Sequence, residues 1–268
     1  MKYKFNNKQA IITGGSAGIG LSIAKKLASL GCQIHLIARD KEKLTKAKFN
    51  INETYPNVNI EIYSVDLKNK ELLEETMIFI GKNHGIDILV NNAGVEAYGK
   101  FEDIEETALR HVFEVNYWAA VNATRAAIPY LKSSSCGHVS FVSSVAGYLG
   151  AFGYVSYAPT KFAVTGFAEC LRMEMRPHNI GVSIVFPPDT DTDMYTREKQ
   201  NQIPEAKALS KHGKVISPDL VANKLIKAIE KSQFEVLCNK ESILVKKFKN
   251  LFPSLYYKTL DRIIDSSL

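Results

Sequence analysis

Tyr157 and Lys161 are the two residues of this sequence whose types and spacing best suit proton-transfer chemistry. They lie four positions apart at the start of a predicted helix, so their side chains share one helix face. A free tyrosine has a pKa of about 10, which is too high for ready proton exchange near neutrality. A nearby ammonium group lowers that pKa and would make Tyr157 a usable acid or base. Surface Tyr/Lys pairs have the same spacing, so the pair alone is not diagnostic.

Two further polar residues are candidates for the same chemistry. Ser144 lies at the carboxyl end of the fifth predicted strand, and the strand ends of an open α/β sheet are where its ligands bind. Asn116 falls inside a predicted helix, although asparagine is a poor helix former and no local role explains it there.

A glycine-rich turn, TGGSAGIG at residues 13–20, predicts a site for the phosphates of a dinucleotide. The turn follows a predicted strand and opens an amphipathic helix, which is the context that makes such a match credible. Glycine permits a tight turn and lets the backbone approach a pyrophosphate at the helix N-terminus. The predicted contacts in this turn are Gly14, Ser16, Ala17, Gly18, Ile19 and Gly20.

Arg39 ends the second predicted strand, where a dinucleotide-binding fold reads the adenosine ribose. An arginine at that point accommodates a 2′-phosphate, and Lys43 and Ser16 are placed to assist, so we predict NADP(H) as the cofactor. Asp40 argues for NAD(H) instead, and Arg39 would then be a surface cation.

The next two predicted strands end in residues that would complete the cofactor site. Asp66, followed by Leu67, could receive the adenine amino group, or it could cap a helix that begins at Leu67. Asn92, Ala93 and Gly94 belong to the tetrapeptide NNAG, which on its own is only a turn.

Short apolar runs alternate with helical patterns along the chain, and this predicts right-handed crossovers and a parallel sheet. We therefore expect an α/β fold: a single doubly wound Rossmann domain with about seven parallel strands and helices on both faces. One long helix is predicted over 104–132, kinked or ended by Pro129. The helix over 218–231 is expected to turn Leu220 inward.

The predicted domain spans 1–240 and includes the active site and a lid over about 189–213. A C-terminal amphipathic tail follows over 241–268. Ile243, Leu244 and Phe248 alternate there with lysines, so the tail could lie on a membrane surface or pack on protein.

Composition excludes several other classes of protein. The 268 residues are 46% hydrophobic and 23% charged, which is typical of globular chains and not of disordered ones. The net charge of +6 comes from dispersed lysines without a nucleic-acid motif, so no nucleic-acid partner is expected. Four separated cysteines and six histidines without ligand spacing predict a reduced, cytoplasmic protein without a metal site. No membrane-spanning helix is expected.

The motifs TGGSAGIG, NNAG, EVNYW, SSVAG and YAPTK occur together in an order and spacing that resemble the short-chain dehydrogenase/reductase family. The resemblance implies that Asn116, Ser144, Tyr157 and Lys161 are catalytic. Tyr157 would protonate a carbonyl oxygen as hydride arrives, and Ser144 would hydrogen-bond that oxygen. Lys161 would bind the nicotinamide ribose and depress the Tyr157 pKa, and Asn116 would anchor a water-linked proton relay. Dimers or tetramers of such proteins pair helices equivalent to 116–132 and 158–176.

The string PPDTDT at 187–192 resembles a narrower group, the 3-ketodihydrosphingosine reductases, which reduce a sphingoid-base ketone with NADPH. By that resemblance Pro187, Thr190 and Thr192 would line the nicotinamide end of the site. Asp193, Met194 and Tyr195 follow this string and differ from the continuation that the resemblance leads us to expect. The resemblance therefore does not define the substrate lid.

Three functions are compatible with these observations. The first is NADPH-dependent reduction of 3-ketodihydrosphingosine to dihydrosphingosine. The second is the same chemistry on another lipophilic ketone or alcohol, such as a steroid, a retinoid or a 3-ketoacyl compound, because fold and catalytic residues do not separate these. The third is a non-catalytic NADP(H)-binding protein. Apolar residues expected near the nicotinamide suit a long acyl chain: Tyr148, Leu149, Ala151, Phe152, Tyr154 and Met194.

Overall fold

Seven parallel strands form one sheet in a computed structural model that describes residues 3–210 and 213–266. The strands are β1 Gln9–Thr13, β2 Gln33–Ala38, β3 Ile60–Ser64, β4 Ile88–Asn91, β5 His138–Val142, β6 Gly181–Phe186 and β7 Glu235–Leu237. Their order in the sheet is β3-β2-β1-β4-β5-β6-β7. The direction of winding reverses between β1 and β4, so a crevice opens there at the carboxyl ends of the strands.

Helices cover both faces of this sheet. They are α1 Gly18–Ala28, α2 Lys41–Thr54, α3 Lys70–His84, α4 Glu106–Phe113, α5 Ala119–Ser133, α6 Ala158–Met175, α7 Asp193–Asn201, α8 Pro204–Ser210, α9 Pro218–Lys231, α10 Lys240–Leu251 and α11 Pro253–Asp265. In β1 the successive residues Ile11 and Ile12 are fully buried on opposite faces of the sheet, with Ile12 facing the cluster around Ile23 and Leu225, and Ile11 facing the cluster around Met77. The predicted doubly wound α/β fold is confirmed.

The structure corrects the predicted start of α3. The helix begins at Lys70, because Asn69 caps it by accepting a hydrogen bond from the Leu72 amide at 3.0 Å. Leu67 therefore precedes the helix, and Asp66 is not its N-cap.

The helix predicted over 104–132 is not continuous. A 3-10 turn over Phe101–Asp103 precedes α4, and a π-helical turn over Glu114–Trp118 separates α4 from α5. Pro129 does not end α5, which runs on to Ser133. The extra residue of a π-turn rotates the side chains that follow it, and such turns often occur at functional sites.

Leu220 is another correction. It is 37% exposed, whereas Val221 and Leu225 of the same helix are fully buried. As the third residue of α9, Leu220 lies at the rim of the face that packs on α1.

The stretch predicted as a lid, over about 189–213, contains two short helices, α7 and α8. Residues 211–212 of the predicted lid and 267–268 of the predicted tail lie outside the described residues. The tail consists of α10 and α11, and Pro253 is the first residue of α11. Among the described residues, no helix has the length and apolar character needed to cross a membrane.

Candidate active site

Two adjoining cavities lie at the carboxyl ends of the strands and receive nearly all of the predicted site residues. The larger has a volume of about 710 Å³ and the smaller about 270 Å³. The predicted residues that line the larger one are Gly14, Ser16, Ala17, Gly18, Ile19, Gly20, Lys43, Asn92, Ala93, Gly94, Ser144, Tyr157, Lys161, Pro187, Thr190 and Thr192. Arg39, Asp66 and Leu67 line the smaller one. Asn116 lines neither and lies just behind Gly94.

The glycine turn joins β1 to α1 in a geometry that only glycine allows. Gly14 has a φ of +65°, and a Cβ on Gly20 would approach the Gly14 carbonyl to under 3.0 Å. The Asn92 side chain holds the turn by donating to the carbonyls of Thr13 and Gly14, at 3.0 and 3.1 Å. Asn92 thus fixes the turn from the neighbouring strand.

The N-terminus of α1 fits a pyrophosphate. Its N-cap, Ala17, makes no side-chain capping bond within the described residues, so the first-turn N–H groups are available to an anion. The glycine turn and this helix end line the same cavity, an arrangement that suits the pyrophosphate of a dinucleotide.

Arg39, Lys43 and Asp66, which were predicted to contact the adenosine, lie around the smaller cavity. Asp40 caps α2, because its carboxylate accepts from the Lys43 amide at 2.9 Å. That bond gives Asp40 a structural role as a helix cap. The presence of an acid at this position is therefore weaker support for NAD(H) as the cofactor. Asp66 accepts from the Lys68 amide at 3.1 Å, within the turn before α3.

Tyr157, Ser144 and Lys161 meet at the end of β5. Tyr157 precedes α6, and Lys161 follows one turn later, so the ammonium lies 5.4 Å from the Tyr157 ring centroid. The Lys161 Nζ donates to the Val142 carbonyl at 3.1 Å, which ties α6 to β5. Ser144 hydrogen-bonds the Tyr157 hydroxyl. This arrangement offers a carbonyl oxygen two hydroxyl donors.

The pKa of Tyr157 is raised above its usual range, which contradicts the depression expected from Lys161. Burial is the main cause, and the Ser144 hydrogen bond only partly offsets it. The charges of Glu96 and Glu198 raise the Tyr157 pKa further. Burial also lowers the pKa of Lys161 to about 8.

Asn116 links the strand ends to α6. It lies in the π-helical turn, and its amide donates to the Val95 carbonyl at 2.9 Å and the Thr160 hydroxyl at 3.0 Å. Its Oδ1 accepts from the Val95 amide at 2.8 Å. Asn116 therefore holds the loop after β4 against the helix that carries Lys161, while the proton relay expected of it stays a prediction.

The sequence analysis missed the contribution of the C-terminal tail to the site. Helices α10 and α11 lie against β7 and α8, and they form part of the cavity wall. The Lys249 Nζ donates to the Tyr148 carbonyl at 2.6 Å, and Lys246 pairs with Glu235. The tail residues in the wall are mostly apolar: Val245, Phe248, Tyr256, Leu260 and Ile263. Their helical spacing was visible in the sequence, but the surface that they face was not.

Glu96, Tyr98 and Glu198 were also missed. Tyr154, whose ring is next to that of Tyr157, contacts the Tyr98 ring and donates a hydrogen bond to Glu198. The charge of Glu96 acts on Tyr98 and Tyr157. Glu96 and Tyr98 lie in a loop and Glu198 lies in the lid, so no regular spacing in the sequence marked them as site residues. Of the apolar residues predicted near the nicotinamide, Phe152 does not line the cavity, whereas Tyr148, Leu149, Ala151, Tyr154 and Met194 do.

A seven-stranded Rossmann sheet with a glycine turn and a Ser–Tyr–Lys set at its strand ends is the architecture of a nucleotide-dependent oxidoreductase. A family model described as short chain dehydrogenase matches residues 8–203. The chain belongs to the short-chain dehydrogenase/reductase family, and it is an oxidoreductase that acts on CH–OH and C=O groups.

Relatives of known function are similar over most of their length. The chain is 39% identical to a 3-dehydrosphinganine reductase of Danio rerio over 86% of this chain and 71% of that protein. It is 38% identical to a 3-ketodihydrosphingosine reductase of Bos taurus over 84% and 69%. These similarities confirm the predicted resemblance to that group of reductases.

Solved structures share the fold. A short-chain dehydrogenase from Sphingobium yanoikuyae in complex with NADPH aligns with a TM-score of 0.76 at 26% identity, over 86% of this chain and 87% of that one. A family member from Burkholderia phymatum in complex with NAD aligns with a TM-score of 0.83 over 94% and 96%, at 23% identity. The two complexes hold different nicotinamide cofactors, so the shared fold does not select between them.

Proposed function

We propose that this protein is an NADPH-dependent reductase of a long-chain ketone, converting 3-ketodihydrosphingosine to dihydrosphingosine. The observation that carries the proposal is the lining of the larger cavity, which combines the hydroxyls of Ser144 and Tyr157 with apolar tail residues such as Phe248 and Ile263. A ligand with one carbonyl and a long alkyl chain suits such a cavity. The similarity to the 3-dehydrosphinganine reductase of Danio rerio and the 3-ketodihydrosphingosine reductase of Bos taurus supports the same substrate.

NADPH would lie across the two cavities, with its pyrophosphate at the glycine turn and the N-terminus of α1. Arg39 and Lys43 would pair with the 2′-phosphate, Asp66 would receive the adenine amino group, and Lys161 would bind the nicotinamide ribose. When bound, the cofactor supplies the hydride that reduces the carbonyl carbon. Pro187, Thr190 and Thr192 would position the nicotinamide end.

Tyr157 is the proposed general acid. Its raised pKa keeps the hydroxyl protonated at neutral pH, which is the form needed to donate a proton to the carbonyl oxygen. Ser144 would donate a second hydrogen bond to that oxygen and so stabilise the charge that develops on it. Lys161 lies close enough to the Tyr157 ring to stabilise the phenolate left after proton transfer.

Location and assembly remain predictions. A cytoplasmic homo-oligomer, formed through α5 and α6, agrees with the exposure of Trp118 at 46% and Phe162 at 42%. The tail could also touch a membrane surface, since Leu244 and Leu251 are 68% and 70% exposed.

The direct test is NADPH oxidation, followed by absorbance, with 3-ketodihydrosphingosine in detergent micelles and with NADH in a parallel assay. Rapid turnover of 3-ketodihydrosphingosine with NADPH and not with NADH would support both the proposed substrate and the proposed cofactor. Turnover with a steroid, retinoid or 3-ketoacyl substrate, and none with the sphingoid ketone, would contradict the proposed substrate and support the proposed reduction chemistry.

Arg39→Ala tests the cofactor assignment. Loss of a charge-assisted contact is worth about 1.5–3 kcal/mol, so the KM for NADPH should rise by roughly 10- to 100-fold while activity with NADH is unchanged. Arg110→Ala is the control, because Arg110 is exposed and pairs with Glu106 on α4. An unchanged KM for NADPH in Arg39→Ala would contradict the assigned phosphate site.

A further inference from the structure

A group of carboxylates and tyrosines lies beside Tyr157, and the reduction chemistry described above does not use it. Glu198 of α7 accepts hydrogen bonds from the hydroxyls of Tyr154 and Tyr98. The Tyr98 and Tyr154 rings are 4.9 Å apart edge to face, and the Tyr154 ring is 6.4 Å from that of Tyr157. Tyr154 therefore contacts both Glu198 and the proposed acid, Tyr157.

Glu96 adds a second buried carboxylate to this group. Its side chain is 8% exposed and lies 3.9 Å from Arg197, while its Oε2 has no hydrogen-bond partner within the described residues. Its charge acts on both Tyr157 and Lys161. A buried carboxylate oxygen without a partner is costly, and a positive charge bound nearby would offset part of that cost.

The surrounding cations do not compensate these carboxylates fully. Arg197 acts on Glu96, and Lys199 acts on Glu198 and on Asp189 nearby. Burial nevertheless raises the pKa of Glu96 to about 7, and it raises the pKa values of Asp189 and Glu198 as well. A positively charged group bound in the cavity beside the Asp189 and Glu198 carboxylates would interact favourably with them.

Two of the carboxylates, Asp189 and Glu198, line the same cavity as Ser144 and Tyr157, and so does Tyr154. The part of the cavity wall that the tail forms is mostly apolar. A ketone whose oxygen contacts Tyr157 and whose alkyl chain runs toward the tail has its α-carbon substituent free to reach the tyrosine–carboxylate group.

We propose that Glu198, with Glu96 behind it, binds a protonated amine on the carbon adjacent to the ketone, so that the enzyme selects long-chain α-amino ketones over ketones without the amine. This inference rests on the proposed function and deepens it, since 3-ketodihydrosphingosine is an α-amino ketone. Glu198 is a specificity-determining residue in this scheme, and Tyr98 and Tyr154 position its carboxylate.

A competing role for the same contacts is purely structural. The bond from Tyr154 to Glu198 joins the loop before α6 to α7, so it could simply hold the lid in place. A lid contact would affect all long-chain ketones alike, whereas an amine site would affect only those that carry the amine.

The test compares Glu198→Gln with wild type on 3-ketodihydrosphingosine and on the same ketone lacking the 2-amino group. Glutamine keeps an oxygen for the Tyr154 hydroxyl and removes the charge. We expect kcat/KM for the amino ketone to fall by about 10- to 100-fold, the effect of losing one charge-assisted bond, with little change for the deaminated ketone. Equal losses on both substrates, or no loss on either, would overturn the proposal.

Glu205→Gln is the matched control variant. Glu205 is another buried lid carboxylate, but it pairs with Lys100 at 3.3 Å and does not line the cavity. Its substitution should leave the preference for the amino ketone unchanged.

A binding measurement separates failure of this inference from failure of the proposed function. Dihydrosphingosine and its N-acetyl derivative are titrated against wild type and Glu198→Gln by calorimetry. Tighter binding of the free amine to wild type, lost in the variant, supports the amine site even if no ketone turns over. Turnover of the sphingoid ketone without any amine preference would leave the proposed function standing and remove this inference.

Discussion

At the residue scale, Tyr157 is a buried tyrosine at the cavity wall whose hydroxyl hydrogen-bonds Ser144. Tyr157→Phe removes the acidic proton and keeps the ring, so we expect kcat to fall by about 10²- to 10⁴-fold, the usual contribution of a positioned general acid. Steady-state kinetics would measure the loss. Tyr63→Phe is the control, since Tyr63 donates to Glu61 on β3, away from the cavity. Full turnover by Tyr157→Phe would show that another group donates the proton.

At the element scale, the β1–α1 turn depends on the absence of a side chain at Gly20. Gly20→Ala would place a Cβ within 3.0 Å of the Gly14 carbonyl and the Asn92 amide, at an overpacking cost of about 1–3 kcal/mol. We expect a lower free energy of unfolding in urea and weaker NADPH binding by fluorescence titration.

Gly166→Ala is the matched control for this turn. Gly166 is a helical glycine of α6 with no atom within 4 Å of an added Cβ, among the described residues. Alanine there should be neutral or stabilise the helix by about 0.5–1 kcal/mol. Equal unfolding free energies and equal NADPH affinities in the two variants would mean that the β1–α1 turn accommodates the added Cβ without loss of stability.

At the scale of the whole molecule, buried histidines make stability fall in acid. His138 on β5 is buried, its Nε2 lies 3.0 Å from the Ser183 hydroxyl, and burial lowers its pKa from 6.5 to about 3. Below pH 6.5 the unfolded chain takes up a proton that the folded protein refuses, so stability is lost as the pH falls toward 3. His35, with a pKa of about 4, adds to this loss, and Glu96, with a pKa of about 7, opposes it.

A difference measurement isolates His138 from the other groups. Between about pH 7.5 and pH 5.5, His138→Gln should lose about 1.4 kcal/mol less unfolding free energy than wild type, measured by urea denaturation. His178→Gln serves as control, because His178 is exposed. Parallel pH profiles for wild type and His138→Gln would contradict the buried neutral histidine.

Local patterns in the sequence were sufficient for the fold and for most of the proposed cofactor site. Apolar runs such as QAIIT at 9–13 and GVSIVF at 181–186 form the strands β1 and β6, because a strand covered on both faces consists mostly of apolar residues. The glycines of the 13–20 turn and Arg39 were predictable for a related reason: parallel strands end at one edge of the sheet, so residues that follow them meet there.

Features that depend on contacts between distant segments were decided only by the tertiary structure. The π-helical turn at Asn116 arises where its amide bonds Val95 and Thr160, which a local helical pattern does not encode. The Tyr157 pKa is raised and not lowered, because folding buries the hydroxyl near two carboxylates distant in sequence. The contribution of the tail to the cavity wall has the same physical reason. Burial and electrostatics depend on which surfaces the folded chain brings together. The spacing of residues along one segment does not specify those contacts.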